Sequence, residues 1–121
     1  MPEGRVLSFV KSQRLTRASE FERVKQEGRT QRGKLMLLAA LTVQNAAASR
    51  AGFVTTRRLG NATVRNRVRR RLREIVRQHQ HDLRRDFWIV IIARRDAADV
   101  SYRALEDEWL RLAKRASILA L

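Results

Sequence analysis

Cysteine is absent from this 121-residue chain, which excludes disulfides and thiolate metal sites. Long apolar runs are absent too. The longest, Leu35 to Leu41, is far too short to span a bilayer. Met1 to Lys11 lacks the unbroken apolar stretch of a signal peptide, so a cytoplasmic protein without a membrane partner is expected. No Gly-rich phosphate loop, Ser/His/Asp set or paired-carboxylate site appears, so the protein by itself is not expected to be a catalyst or to bind a cofactor. His79 and His81 are two residues apart and diverge on a helix, with no third ligand type nearby, so no metal site is expected. Asp82 and Asp86 read as one helical face, able to pair with Arg85 or to hold a hydrated ion, of which surface salt bridging is the favoured reading.

Acid is scarce as well. Twelve Asp and Glu stand against 27 Lys and Arg, a net charge of +15, while 44% of residues are hydrophobic. That apolar content supports a folded core, so the chain is not a disordered basic tail. Such self-repulsion in a small domain points to a polyanionic partner, with nucleic acid ahead of a membrane surface. The charge is also uneven. Residues 50–77 carry ten arginines against Glu74 alone.

Periodicity predicts a single α+β domain over 1–121 with the order α-β-β-α-β-α and one small sheet. Residues 1–13 read as a flexible basic lead-in, with Phe9 able to dock on the domain. A first helix fits Ala18 to Glu27, with Ser19 as cap, Glu20 and Glu22 at its positive end and Gly28 as stop. Leu35 to Val43 is apolar on both faces. It suits a central strand, and a short buried helix has the same signature. Asn45 to Ser49 reads as a turn and Gly52 to Thr56 as a second strand, together a hairpin. Arg57 to Gly60 breaks that strand, and Asn61 caps a helix of about four turns whose apolar stripe is Val64, Val68, Leu72, Ile75 and Val76. Phe87 to Ala93 is the strongest strand, followed by a turn at Asp96 to Asp99. Ser101 caps a last helix that packs through Ala104, Leu105, Trp109, Leu112, Ala113 and Ala116. Trp88 and Trp109 read as core.

On the long helix, Asn66, Arg69, Arg70, Arg73 and Arg77 cover the face opposite the apolar stripe, and Arg67 and Arg71 flank it. Arg65 falls close to the apolar side, in the first turn. A merely solvated face mixes signs at (i, i+4) spacing, whereas this helix holds one acid. Arginine forks match phosphate oxygens, and so uniform a face suits phosphate contacts better than base readout. A ribosomal-type structural RNA-binding protein would share this composition. A DNA-binding regulator would expose more Asn, Gln or Ser to base edges.

The 25 residues from Arg50 to Glu74 contain a Gly-bearing strand, the pair Arg57-Arg58, Gly60-Asn61-Ala62, then Arg65-Asn66-Arg67 and further arginines on a helix. This segment closely resembles the signature of the bacterial ribonuclease P protein family. The flanks Arg14-Leu15, Ser19-Glu20-Phe21 and Phe87 to Arg94 agree, and the resemblance runs from about Gln13 to Leu119. It implies a left-handed βαβ crossover, against the usual rule. It implies that the catalytic centre and its Mg2+ ions belong to an RNA subunit. The partners implied are ribonuclease P RNA, one protein per RNA, and precursor tRNA, whose 5′ leader is removed. By position, Arg57, Arg58, Arg65, Asn66, Arg67, Arg69, Arg70 and Arg73 would contact the RNA. A cleft between the first helix, the sheet and the Arg helix would hold the leader through Phe21, Lys25, Val54 and Thr56, with Phe21 as a stacking surface. The chain departs from the family in that cleft. It has Lys25 where many members carry an aromatic, Ala39 near another common aromatic, and Val54 near a common hydroxyl residue.

Overall fold

The computed structural model describes residues 14–44, 49–84 and 86–119. The lead-in 1–13, Phe9, most of the expected turn at 45–49, and Arg85 lie outside these residues. Helix α1 spans Ala18–Glu27, as its apolar spacing predicts, but Ser19 is not its cap. Arg17 occupies that position, and Glu20 reaches back so that its Oε1 accepts from the Thr16 and Arg17 amides, both at 3.1 Å. Burial raises the Glu20 carboxyl, but these amides and the Arg50 guanidinium (2.8 Å) outweigh it and hold the group below its ordinary value. A longer side chain at the third helical position replaces the shorter one expected at the cap.

Four strands follow in the sheet order β1-β2-β4-β3: β1 Arg29–Arg32, β2 Met36–Thr42, β3 Arg50–Val54 and β4 Phe87–Ala93. Strand β1 is an addition to the expected order. Its four polar residues lack apolar alternation, and it forms because β2 offers an edge, in the register Arg29↔Ala40 to Arg32↔Leu37. The expected β2–β3 hairpin does not form. The most apolar strand, β4, inserts between them, antiparallel to β2 and parallel to β3, and so covers both of its edges. The hairpin present is β1–β2. Helix α2, Ala62–Gln78, connects β3 to β4, which is the crossover implied by the resemblance.

Alternation along β2 and β4 divides the core. Met36, Leu38, Ile89 and Ile91 face α2 and α3 (Tyr102–Arg115), where Leu72, Ile75, Leu105, Trp109 and Leu112 are fully buried. On the other face Ala39 and Val90 lie under Leu15 and Val24 beside α1. Trp109 is core as expected. Trp88 is only partly buried, at the edge of the α1 side, with Arg23 and Arg50 guanidiniums 5.5 and 5.2 Å from its ring. Asn61 caps α2 by accepting from the Val64 amide (3.0 Å), and Ser101 caps α3 through the Ala104 amide (3.1 Å). Gly60 precedes Asn61 at φ +141°, a backbone that L side chains rarely adopt. Residues Arg95–Asp99 form a 3-10 helix rather than a simple turn.

Helix α2 ends before Asp82, which closes a 3-10 turn, while Asp86 precedes β4. The two aspartates therefore do not share a helical face. His79 stacks on Trp109 at 5.6 Å, and its Nε2 lies 2.9 Å from Glu106 Oε2. No helix among the described residues is long and apolar enough to cross a membrane.

Helix α3 ends in a Schellman motif. Ile118 N–H donates to Ala113 and Ser117 N–H to Lys114, with Ser117 at φ 59°. A serine held left-handed is strained where glycine is not. Ser117→Gly is therefore expected to stabilise the fold by about 0.5–1 kcal/mol after the extra chain entropy of glycine is offset. A raised urea midpoint at constant slope would show it; a lowered midpoint would contradict it.

Candidate nucleic-acid interface

The seventeen residues of α2 place its arginines in five settings. Asn66 and Arg70 are exposed on its outer face, continuous with the exposed Arg57 and Arg58 of the 3-10 turn Arg57–Leu59. Among the described residues none of these arginines pairs with a carboxylate. Arg67 and Arg71 turn the other way, donating to the Ala98 and Val100 carbonyls at 3.2 and 3.1 Å, and so fasten α2 to the segment before α3. Arg65 is half-buried in the first turn. Arg69 and Arg73 lean over the sheet. Arg69 donates to Thr55 Oγ1 (2.6 Å) and Asn66 Oδ1 (3.0 Å), and the Arg73 guanidinium lies 6.0 Å from the Phe53 ring. Burial first, then repulsion from Arg14 and Arg69, lowers the pKa of Arg73. Arg77 is neutralised by Glu74, whose carboxyl the Arg77 hydrogen bond holds below the usual carboxylate range.

Between α1, β3 and α2 lies a concavity of about 460 Å³ lined by Phe21, Glu22, Lys25, Val54, Thr55 and Arg69. Phe21 sits there because residue 52 has no side chain: a Cβ on Gly52 would come within 2.5 Å of the Phe21 ring. Phe21 is half-buried, so it is both a packing residue and an open lining residue. Beside this concavity is a larger one, about 900 Å³, lined by Leu37, Thr56, Arg57, Arg58, Ile92, Arg94 and Arg95. One cross-strand row, Leu37–Ile92–Val54, runs from the second concavity into the first. Joined by that row, the two read as one groove with an apolar floor, lined by Lys25, Arg57, Arg58, Arg69, Arg94 and Arg95 and by one acid, Glu22.

Phe21, Lys25 and Val54 thus come together as expected, and Thr56 falls in the adjoining stretch. Thr55, Arg94 and Arg95 also line these concavities, and no local pattern in the sequence marks them. Arg94 and Arg95 follow β4 as Arg57 and Arg58 follow β3. Because these strands are parallel, both pairs leave the sheet at one end. With β2 and β3 read as a hairpin, that convergence was invisible.

A groove of this kind can hold a single strand of nucleic acid, apolar base faces down and phosphates against guanidiniums. Among the described residues no group of His, Cys, Asp and Glu could hold a metal ion.

The family model described as Ribonuclease P matches residues 9–117. The ribonuclease P protein component of Symbiobacterium thermophilum is 37% identical over 109 residues, covering 90% of this chain and 95% of that protein. The one from Roseiflexus sp. is 41% identical over 108 residues, covering 88% and 87%. The solved RNase P protein of Thermotoga maritima superposes with a TM-score of 0.76 at 28% identity, covering 84% of this chain and 96% of that one. That of Staphylococcus aureus gives 0.84 at 23% identity, covering 90% and 99%, a likeness of fold.

Proposed function

This chain belongs to the ribonuclease P protein family, the protein subunit of a tRNA-processing endoribonuclease that works with ribonuclease P RNA, and we propose how its two basic surfaces divide that work. The outer surface, Arg57, Arg58, Asn66 and Arg70, lies against phosphates of the RNA subunit, with Arg65 and Arg67 at its margin. The groove takes the single-stranded 5′ leader of precursor tRNA. There Phe21 offers a stacking face and Val54 part of the floor, while Lys25, Thr56 and Arg69 face the backbone and Arg73, over the Phe53 ring, adds its charge from behind.

The observation that carries this reading is the groove itself, an apolar cross-strand row walled by arginines that lack carboxylate partners among the described residues. Fixed charges in a concave wall bind a polyanion without first breaking internal ion pairs. Leader contacts exist in the substrate and vanish in mature tRNA, so binding energy in the groove favours substrate over product. Bond cleavage and its Mg2+ ions are assigned to the RNA; the protein positions the strand. One protein per RNA, in the cytoplasm, completes the reading.

The test is cleavage of precursor tRNA at low magnesium by this protein with a bacterial ribonuclease P RNA. Cleavage at the mature 5′ end with both components, and with neither alone, is expected. Binding of a cognate RNA by folded protein without rescue of cleavage would overturn the division of labour, in favour of a purely structural RNA-binding role.

A further inference from the structure

We propose that Thr55 is a positioning residue for leader binding: its hydroxyl, with Asn66, holds Arg69 in place at the groove wall before any RNA arrives. This rests on the reading of the groove as the leader site. Thr55 is the first residue after β3, so its place is set by the sheet, while Arg69 rises from the second turn of α2. The hydroxyl accepts from Arg69 Nη2 at 2.6 Å and Asn66 Oδ1 accepts from Nη1 at 3.0 Å, so each terminal nitrogen of the fork is fixed by a different element.

Both partners are neutral, and among the described residues no carboxylate pairs with Arg69. The guanidinium is therefore oriented without being neutralised. The Nε–H and one N–H on each terminal nitrogen remain for a ligand. Thr55 and Arg69 line the same concavity as Phe21, Lys25 and Val54, so the remaining hydrogens stand beside the proposed path of the strand.

A free arginine loses much rotamer freedom when it binds a phosphate. One already held by two hydrogen bonds loses less, and the difference appears as affinity. An acidic partner would orient Arg69 equally well but would cancel the charge the leader needs. A threonine at the end of a strand avoids that.

The experiment uses the reconstituted holoenzyme with Thr55→Val, Thr55→Ser, Arg69→Ala and the double variant Thr55→Val/Arg69→Ala. Thr55→Val keeps the shape and removes the acceptor. It is expected to raise KM for a precursor with a leader of several nucleotides by roughly three- to tenfold, the range for the net loss of one ordinary hydrogen bond and an effect felt only through Arg69. The effect should shrink as the leader is trimmed to a single nucleotide, and Thr55→Ser should restore wild-type KM. In the Arg69→Ala background the valine should add less than about twofold, since its effect passes through the guanidinium.

Two failures are distinguishable. If Arg69→Ala leaves the dependence on leader length intact, the groove is not the leader site and both the reading and this inference fall. If Arg69→Ala weakens leader binding but Thr55→Val does not, or the two effects simply multiply, the groove reading stands and the role of Thr55 is refuted. Urea unfolding of each variant separates these results from loss of fold, and the serine variant keeps the test usable if valine destabilises the strand.

Discussion

Glu108→Ala is expected to destabilise the protein by about 3–5 kcal/mol, a large part of the roughly 5–15 kcal/mol that holds a domain of this size folded. Glu108 lies in the middle of α3 at 4% exposure. One carboxylate oxygen accepts from the Leu35 amide at 2.7 Å and the Met36 amide at 3.0 Å. These are the amides of the residue that leads into β2 and of the one that opens it, and truncation would strand both inside the core. The second oxygen accepts from Arg111 at 3.2 Å, but that arginine is 60% exposed, so its pairing contributes little. The amides dominate. The contact needs room as well: a Cβ on Gly33 would fall 2.4 Å from Glu108 Oε2.

The consequence reaches the groove, because the same turn receives Arg94. Its amide donates to the Leu35 carbonyl at 2.8 Å and its guanidinium to the Gly33 carbonyl at 3.0 Å. Urea unfolding of Glu108→Ala and Glu108→Gln tests the account. Glutamine keeps one acceptor oxygen for the amides and should cost about 1–2 kcal/mol, nearer wild type than alanine. An alanine variant within about 0.5 kcal/mol of wild type would mean that the amides find water or another acceptor.

Glu108 also marks where sequence reading stops. Its helix was legible from Ser101 and the spacing of Leu105, Trp109 and Leu112, but a glutamate on the buried stripe looks like a solvated neighbour until the β1–β2 turn is known to pass beside it. What was legible was local. Asn61, the stripe from Val68 to Val76 and the one-signed arginines all act within a few residues, as do the apolar faces of β2 and β4. Pairing order was not legible, since β2 and β3 are close in sequence and separated in the sheet by a strand more than thirty residues on. Three of the missed features follow from that one rearrangement. Strand β1 has an edge to join, Arg94 and Arg95 meet Arg57 and Arg58, and Trp88 sits opposite Arg50 with Arg23 over its ring. Ser117 was illegible for another reason, because a serine reports nothing about φ.

The arginine surface predicts the opposite kind of variant, one that loses binding and keeps its fold. Replacing Arg57, Arg58 and Arg70 together by alanine should reduce the log–log salt slope of RNA binding by about two to three units. Affinity at roughly 0.1 M salt should fall by about 10²–10³-fold, at 0.7–0.9 counterions per lost phosphate contact. All three are exposed and unpaired with carboxylates among the described residues, so the fold loses no ion pair with them. It loses like-charge repulsion instead, and the unfolding midpoint should stay level or rise.

Two controls sharpen the result. Arg67→Ala and Arg71→Ala remove hydrogen bonds to the Ala98 and Val100 carbonyls, so part of their effect should appear as lowered stability. Arg23→Ala and Arg50→Ala remove charges that Glu27 and Glu20 already neutralise, and should barely move the salt slope. Counting arginines would rank all of these positions alike; their partners separate them. A triple variant with an unchanged slope and an intact unfolding curve would place the RNA on another face. Equal slope losses from Arg23 and Arg70 would mean that net charge, rather than this surface, drives association.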